Sequence, residues 1–342
     1  MKRLILCLQD AEILPDSADP KALRRRLDSF WRRADVRMRD NNLYQYVGKQ
    51  LGLTDSESIP LAAFAALASL QTFAAKAWYA FLDPVHLLPD RDTLLLLPSE
   101  QLQVEDDEAR LLIRDIAEFN REAGWAVYYL SGSHWLLQIN EALDLHCTDI
   151  QHAMRGKLID VLPRGPHAAA WRKSLNELQM FLHAHACNQR RQVNGLPSIN
   201  SVWLWGEGRL PTAQSQSADP SAAVFSDNLN ILGMAKYLNV AQQEVVTDVA
   251  TIDMQQIIAQ TLAQAPRQDA SASEVFTTII TVSLQKVSDD RDSLWLKLRQ
   301  IFLEPLRHAL AATQVDEVLL YLDNGVELVL NRRLLRKLWR SF

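Results

Sequence analysis

Apolar residues follow two different spacings along the chain, and the change from one to the other marks out its elements. Leu4 to Leu8 is an unbroken apolar run, the pattern of a strand buried on both faces. Thr93–Leu97 and Val318–Leu322 also read as buried strands, and Phe276–Leu284, a run rich in β-branched residues, as a strong strand. Trp125–Leu130 and His134–Ile139 read as strands around a Ser131-Gly132-Ser133 turn, and Asp323-Asn324-Gly325 predicts a hairpin between Val318–Leu322 and Val326–Leu330. Ile199–Trp205 follows Leu196-Pro197 as a short strand, because proline pushes its predecessor out of the helical region. Gly206-Glu207-Gly208 then reads as a turn that lets a backbone or a ligand come close.

Spacings of three and four predict helices over Glu105–Ala123, Trp171–His185, Leu229–Asn239, Met254–Gln264 and Trp295–Ala312, the last interrupted at Pro305. A further helix over Pro20–Trp31 takes Asp19 as its cap. Leu61–Phe81 is Ala-rich and helical in pattern, and Asn41–Pro60 is polar and turn-prone. Glu244–Val249 reads as a strand or strand edge, and Arg209–Asn228, rich in Pro, Ser, Ala and Gln, as a long mobile loop. Arg332–Arg340 reads as a basic amphipathic helix. Strands interleaved with helices predict an α/β fold.

Length and charge narrow the picture. The 342 residues suffice for one large or two ordinary domains, and 48% hydrophobic content with a net charge of −5 describes a soluble globular chain. A pI near 5.9 gives no support to a nucleic-acid partner, despite the Arg24–Arg26 and Arg32-Arg33 clusters. No apolar run approaches the roughly 20 residues of a membrane helix, and the apolar run behind Met1-Lys2-Arg3 is too short for a signal-peptide core. Cys7, Cys147 and Cys187 are odd in number and scattered, which points to a reducing compartment, so the expected location is cytoplasmic. Eleven glycines argue against a Gly-rich phosphate cradle.

Two stretches concentrate polar chemistry. Asp83, His86, Asp90, Arg91 and Asp92 crowd around one extended segment. Such a set can hold a metal or phosphate, or else form turns with Arg91 paired to an aspartate. Asn188, Arg191 and Asn200 surround the Ile199–Trp205 strand and can hold a polar ligand or fix loops. His183 and His185 stand two apart on a helix, about 200° around its axis, so they do not share an ion. His86 and His134 read as structural histidines.

The order N-x-x-R-x-x-x-G-x-P-x-x-N from Asn188 to Asn200, followed by an apolar strand ending in G-x-G, resembles archaeal-type cofactor-independent phosphoglycerate mutases of the alkaline phosphatase superfamily. Asp83–Asp92, Asn176–Met180 and Trp203–Gly208 are similar to motifs of a bacterial phosphoglycerate-mutase-like family labelled regulation of pathogenicity factors E. The resemblance implies an alkaline-phosphatase-like core sheet flanked by helices, from 1–61 and 188–342, with a smaller α/β module inserted at 62–187. It also implies two divalent metals on Asp and His ligands and a Ser or Thr nucleophile. Asp10 matches the family's first aspartate, and Asp323 closes the last strand, but Asn324 stands where the family has His. After Phe276–Leu284 the expected metal motif gives way to a stretch from Gln285 to Asp292 without a histidine. Neither Asp40-Asn41-Asn42 nor Thr54-Asp55-Ser56 has the surroundings of the nucleophile, and Trp205 replaces an arginine.

The expectation is therefore a degenerate, non-catalytic protein that uses no cofactor and binds a small anionic ligand or a protein partner in a regulatory role. Its pocket would lie between core and insertion, lined by Asn188, Arg191, Asn200, His86, Asp90 and Arg91, and Asp10 and Asp323 remain the weak metal candidates. One alternative is a mutase or phosphotransferase that binds two divalent ions, manganese or zinc, through rearranged ligands. These would come from Asp10, Asp83, Asp90, Asp92, Asp323 and the histidines. Another is an interaction module that uses the basic helix Arg332–Arg340. Neither nucleic acid nor membrane is an expected partner.

Overall fold

The structure is a computed structural model. It describes the chain apart from residues 15–16, 18, 28, 54–58, 91–92, 155–157, 212–221, 245–252, 265–274, 285–290, 333 and 335–342. The expectations placed on Thr54–Ser56, Arg91, Asp92, Gln285–Asp290 and most of Arg332–Arg340 lie outside the described residues. The strands are β1 (Lys2–Gln9), β2 (Asp35–Met38), β3 (Trp78–Asp90), β4 (Thr93–Leu97), β5 (Ala126–Tyr129) and β6 (Trp135–Ile139). They continue as β7 (Ser201–Gly208), β8 (Ala222–Ser226), β9 (Ala241–Glu244), β10 (Phe276–Ser283), β11 (Glu317–Leu322) and β12 (Val326–Asn331). The fold is mixed α/β, its sheets flanked by helices, and the chain divides into one unit of Met1–Glu57 with Ala213–Phe342 and another of Ser58–Thr212.

The first unit holds a seven-stranded sheet in the order β2-β12-β11-β1-β10-β8-β9. β1 runs parallel to both neighbours, with Leu6 opposite Ile280 on one side and Leu320 on the other. A strand paired on both edges and covered on both faces has no polar position to spare, which is why Leu4–Leu8 is continuously apolar. Alternation sends Leu4, Leu6 and Leu8 into a core with Leu23, Ile257, Leu294 and Leu306 from four helices. Ile5, Cys7 and Gln9 therefore face the opposite side. There Tyr46, from the helix Leu43–Leu51, stacks on Tyr321 at 3.8 Å.

Several elements of this unit depart from the sequence pattern: β2 is not among the expected strands, and the helix from Pro20 ends at Arg26 and not at Trp31. The helix Leu43–Leu51 occupies a stretch that composition marks as turns. A capping box of Asn42 and Gln45 starts it, and Leu43, Tyr46, Val47 and Leu51 give it a buried stripe. β8 emerges from the expected loop because Ala222–Ser226, all buried, pair in parallel with both β10 and β9. Five residues between two partners are too few to show a period in sequence. The expected interruption at Pro305 is a π-helical turn over Arg299–Leu303, which precedes the helix Glu304–Ala311.

The second unit is built on the long strand β3. Its first residues pair with β6, its last with β4, and β7 runs along Tyr79–Val85. Trp78, Ala80 and Leu82 share a core with Leu137, Val202 and Leu204, beneath Leu112 of the helix Asp106–Phe119 and Leu178 of the helix Ala168–Ala184. The Ala-rich helix stops at Ser69, and Trp78–Phe81 pair with β6 instead of extending it. Large aromatic residues fit a pleated, half-covered surface better than a helix. Gly206 and Gly208 belong to β7 and do not form a turn: a Cβ on Gly206 would press on Phe81 and Leu61, and one on Gly208 on Pro60. Because β7 is hydrogen-bonded to β3, the stretch Asn188–Gly208 lies in this unit, and the unit boundaries fall at 57/58 and 212/213 rather than at 61/62 and 187/188.

Gly325 sits in the β11–β12 turn at φ 91°, and a Cβ there would collide with the Arg39 carbonyl oxygen. Gly325→Ala is expected to cost about 2 kcal/mol or more, measured as a lowered urea midpoint with an unchanged slope.

Candidate functional site

The Asn188–Asn200 run was expected to offer a ligand its amides and a guanidinium. The structure commits them to the fold. Arg191 is 1% exposed and lies in the helix Ala186–Val193. Its Nε donates to the Pro197 carbonyl at 2.6 Å, one terminal nitrogen to Glu108 at 2.6 Å, and the other to the Leu102 carbonyl. Asn188 donates to the carbonyls of Leu182 (2.7 Å) and Ile199 (2.8 Å) and accepts from the Ile199 N–H at 2.7 Å. Asn200 accepts from the Leu87 N–H at 2.8 Å and donates to the Leu87 carbonyl at 2.9 Å. Each amide thus stands in for a missing strand partner where the backbone leaves the ladder. His86 Nδ1 lies 2.6 Å from the Ser198 carbonyl oxygen.

Asp90 closes β3 opposite Thr93, and Arg91 lies outside the described residues. The five described residues of the expected lining, Asn188, Arg191, Asn200, His86 and Asp90, all fall in the 58–212 unit. A groove of about 580 Å³ beside Arg191 is lined by Glu105, Asp107 and Glu108 against Arg190 and Arg191, a balance that opposes an anion. In the same region, His185 caps the helix Ala186–Val193 and lies 3.1 Å from Asp115, while Cys187 donates to Glu108 at 2.8 Å. Burial, together with the Glu108 contact, pushes the Cys187 thiol up to about 12, so it stays protonated.

A contact that sequence reading missed joins Asp83 to His134. Asp83 is fully buried on β3. Its Oδ2 lies 3.1 Å from His134 Nδ1 and accepts from Trp205 Nε1 at 2.8 Å, while Oδ1 has no partner among the described residues. The imidazole is 40% exposed, next to Phe81, which stacks on Trp205. The two residues lie 51 positions apart, and no local pattern links them.

The strand ends of the first unit bring Asp10 and Asp323 together. Asp10 leaves β1 in the left-handed region, φ 59° and ψ 34°. That turn points its own N–H and that of Ala11 at Asp323, whose oxygens accept them at 2.7 and 3.0 Å. The Asp10 carboxylate in turn accepts from Ser283 Oγ, at the end of β10, at 2.6 Å. Burial raises the pKa of Asp323, Asp10 and Glu12 push in the same direction, and the two backbone bonds oppose them. Asn324 accepts from the Val326 N–H at 3.3 Å, so its amide closes the turn.

The described residues do not by themselves supply the ligands of two divalent ions. Among them, the donors joined at the ends of β1, β10 and β11 are two carboxylates and a serine hydroxyl, and no group of three or more metal-binding side chains is present. The only histidine in the whole first unit is His308, on the helix Glu304–Ala311. A two-metal phosphate site needs imidazole or further carboxylates around both ions.

No family model matches the chain. The chain is 28% identical over 151 residues to the 2,3-bisphosphoglycerate-independent phosphoglycerate mutase of Methanosarcina barkeri, a match covering 42% of this chain and 38% of that protein. It is 26% identical over 168 residues to the probable enzyme of that name from Geobacter sulfurreducens, covering 48% and 42%. The chain thus spans about two fifths of the length of the curated relatives it matches. The solved PH0037 protein of Pyrococcus horikoshii shares the fold, with a TM-score of 0.56 at 12% identity over 96% of this chain and 87% of that one. The sequence matches show distant homology to cofactor-independent phosphoglycerate mutases, of the alkaline phosphatase superfamily.

Arg191→Met would leave Glu108 and two carbonyls without their donor, and is expected to lower unfolding free energy by about 3–5 kcal/mol in urea titrations. Because the folded-state pKa of Asp323 is raised, the native state binds a proton that the unfolded chain has released. Its favourable contribution is therefore full below the unfolded carboxylate value of about 3.9 and fades as pH rises through the folded value. Relative to Asp323→Asn, wild-type stability should fall across that window, and the opposite slope would contradict the assignment.

Proposed function

We propose that this is a phosphoglycerate-mutase-like protein that acts by binding, in a regulatory role, and carries out no metal-dependent phosphoryl transfer. The observation that carries the proposal is the use made of Asp323. Both of its oxygens accept backbone N–H groups from the end of β1, so the carboxylate at the end of β11 is engaged in holding the strand ends together. Asn324 supports the same reading, since an amide that completes a turn replaces the imidazole the resemblance implies. The likeness to the regulation of pathogenicity factors E family rests on Asp83–Asp92, Asn176–Met180 and Trp203–Gly208 and fits a non-catalytic role. Arg191 is not part of the proposed binding chemistry, because its donors are directed into the protein.

A second reading, an active mutase or phosphotransferase with rearranged ligands, is favoured by the meeting of Asp10 and Asp323 at parallel strand ends, where open α/β sheets place their chemistry. Elemental analysis separates the two. Protein purified without chelator is expected to carry substoichiometric manganese and zinc, and to leave p-nitrophenyl phosphate unhydrolysed when either ion is added. Stoichiometric metal with turnover would establish the second reading.

A further inference from the structure

The last strand ends beside a groove that the chain's own continuation can fill. The groove, of about 310 Å³, lies between the helices Met254–Gln264 and Glu304–Ala311. Ile258, Ala259 and Leu262 line it from the first helix and Pro305 and Ala309 from the second, with Ala312 and Gln314 at its end just past the second helix. Its walls are mainly apolar, with Ile258 and Ala309 buried and Ala259 and Ala312 exposed. An apolar surface left open to water favours a partner that covers it.

The end of β12 is fixed at the same place. Asn331 pairs with Glu317, and the Arg332 N–H donates to the Asp316 carbonyl at 3.3 Å. The Arg332 guanidinium donates to the carbonyls of Thr313 and Val315 and meets the Asp316 carboxylate at 2.9 Å. Gln314 stands between those two carbonyls and lines the groove, so the chain leaves β12 at the groove's rim. Asn331 Oδ1 accepts from the Leu334 N–H at 3.1 Å, the bond by which an asparagine caps the start of a helix. Residues 333 and 335–342 lie outside the described residues. In sequence, Leu334, Leu335, Leu338, Trp339 and Phe342 recur at helical spacing, with Arg333, Arg336, Lys337 and Arg340 between them.

We propose that the C-terminal segment folds back as a helix that seats Leu338 and Trp339 in this groove and turns its basic residues to solvent. Length and position argue for this occupant. A helix from Arg333 to Phe342 measures roughly 15 Å, and the stretch from Pro305 to Ala312 roughly 10 Å, so a helix rooted beside Gln314 covers the groove. Tethering supports it further, since a short linker holds the segment at an effective concentration of about a millimolar.

The test is the rate of tryptic cleavage after Arg336 in the full-length protein, followed by mass spectrometry at several protein concentrations. Wild type is compared with a Leu338→Ser, Trp339→Ser double variant in the tail and with Ala259→Gln in the groove; Ala312→Gln serves if Ala259→Gln does not fold. Tail and groove variants are each expected to be cut about tenfold faster than wild type, because cleavage follows the population of the opened form. Protection of the wild type should not change on dilution. Equal rates in all the proteins overturn the inference. A tail variant cut faster beside an unaffected groove variant also overturns it, since the segment then docks elsewhere. Protection that fades on dilution overturns it as well and assigns the groove to the tail of a second copy.

Discussion

The carboxylate of Asp323 gathers the ends of two parallel strands, and the functional reading depends on what it touches. Strand ends in a parallel sheet leave backbone N–H groups pointing into the turn that follows, and buried N–H groups must find acceptors. Here Asp10 adopts a left-handed backbone, so its amide and that of Ala11 converge on one side chain from the far end of the sequence. A carboxylate held in this way is positioned by the fold. Ser283 ties the Asp10 carboxylate to β10 in the same manner, so three strand ends are joined by side-chain bonds in a row. A metal shell and a structural clasp draw on the same residue types. The difference lies in the partners of each oxygen and in the imidazoles that a metal shell would add.

The second unit makes the same point with amides and a guanidinium. Asn188, Arg191 and Asn200 form a conspicuous polar set within an otherwise apolar stretch, which is also what a binding motif looks like. Their bonds run to main-chain groups of Leu87, Leu102, Leu182, Pro197 and Ile199, at places where the chain passes between helix and strand. A side-chain amide carries a donor and an acceptor in the geometry of a peptide group, so asparagine can finish a ladder that the backbone cannot. Glu108 explains the buried arginine, since a charge away from water requires an opposite charge and further hydrogen bonds. Asp83 follows the opposite course. It is fully buried, and His134 and Trp205 both meet a single one of its oxygens.

Elements with a strong local signature could be read from the chain. β1 and β11 are largely apolar because they are buried on both faces, β10 is marked by its β-branched residues, and the helix Met254–Gln264 has the predicted bounds. Elements defined by their neighbours could not. The helix Leu43–Leu51 is marked by a four-residue capping box and a stripe too short to stand out, and β8 becomes a strand by pairing on both edges. Trp78–Phe81 continue an Ala-rich run in sequence, yet their aromatic rings are accommodated on a sheet. The α/β class was legible, whereas the placement of Asn188–Gly208 required the β3–β7 pairing.

What the sequence determined by itself was the supply of chemistry: carboxylates at the ends of the first and last parallel strands, an asparagine after Asp323, and a single histidine in the unit formed by the chain ends. Only the tertiary structure decided which of those groups are spent on the fold and which remain for a ligand. The physical reason is that hydrogen-bond satisfaction belongs to pairs of atoms. Asp10 and Asp323 are 313 residues apart, and nothing along the chain between them records that they meet.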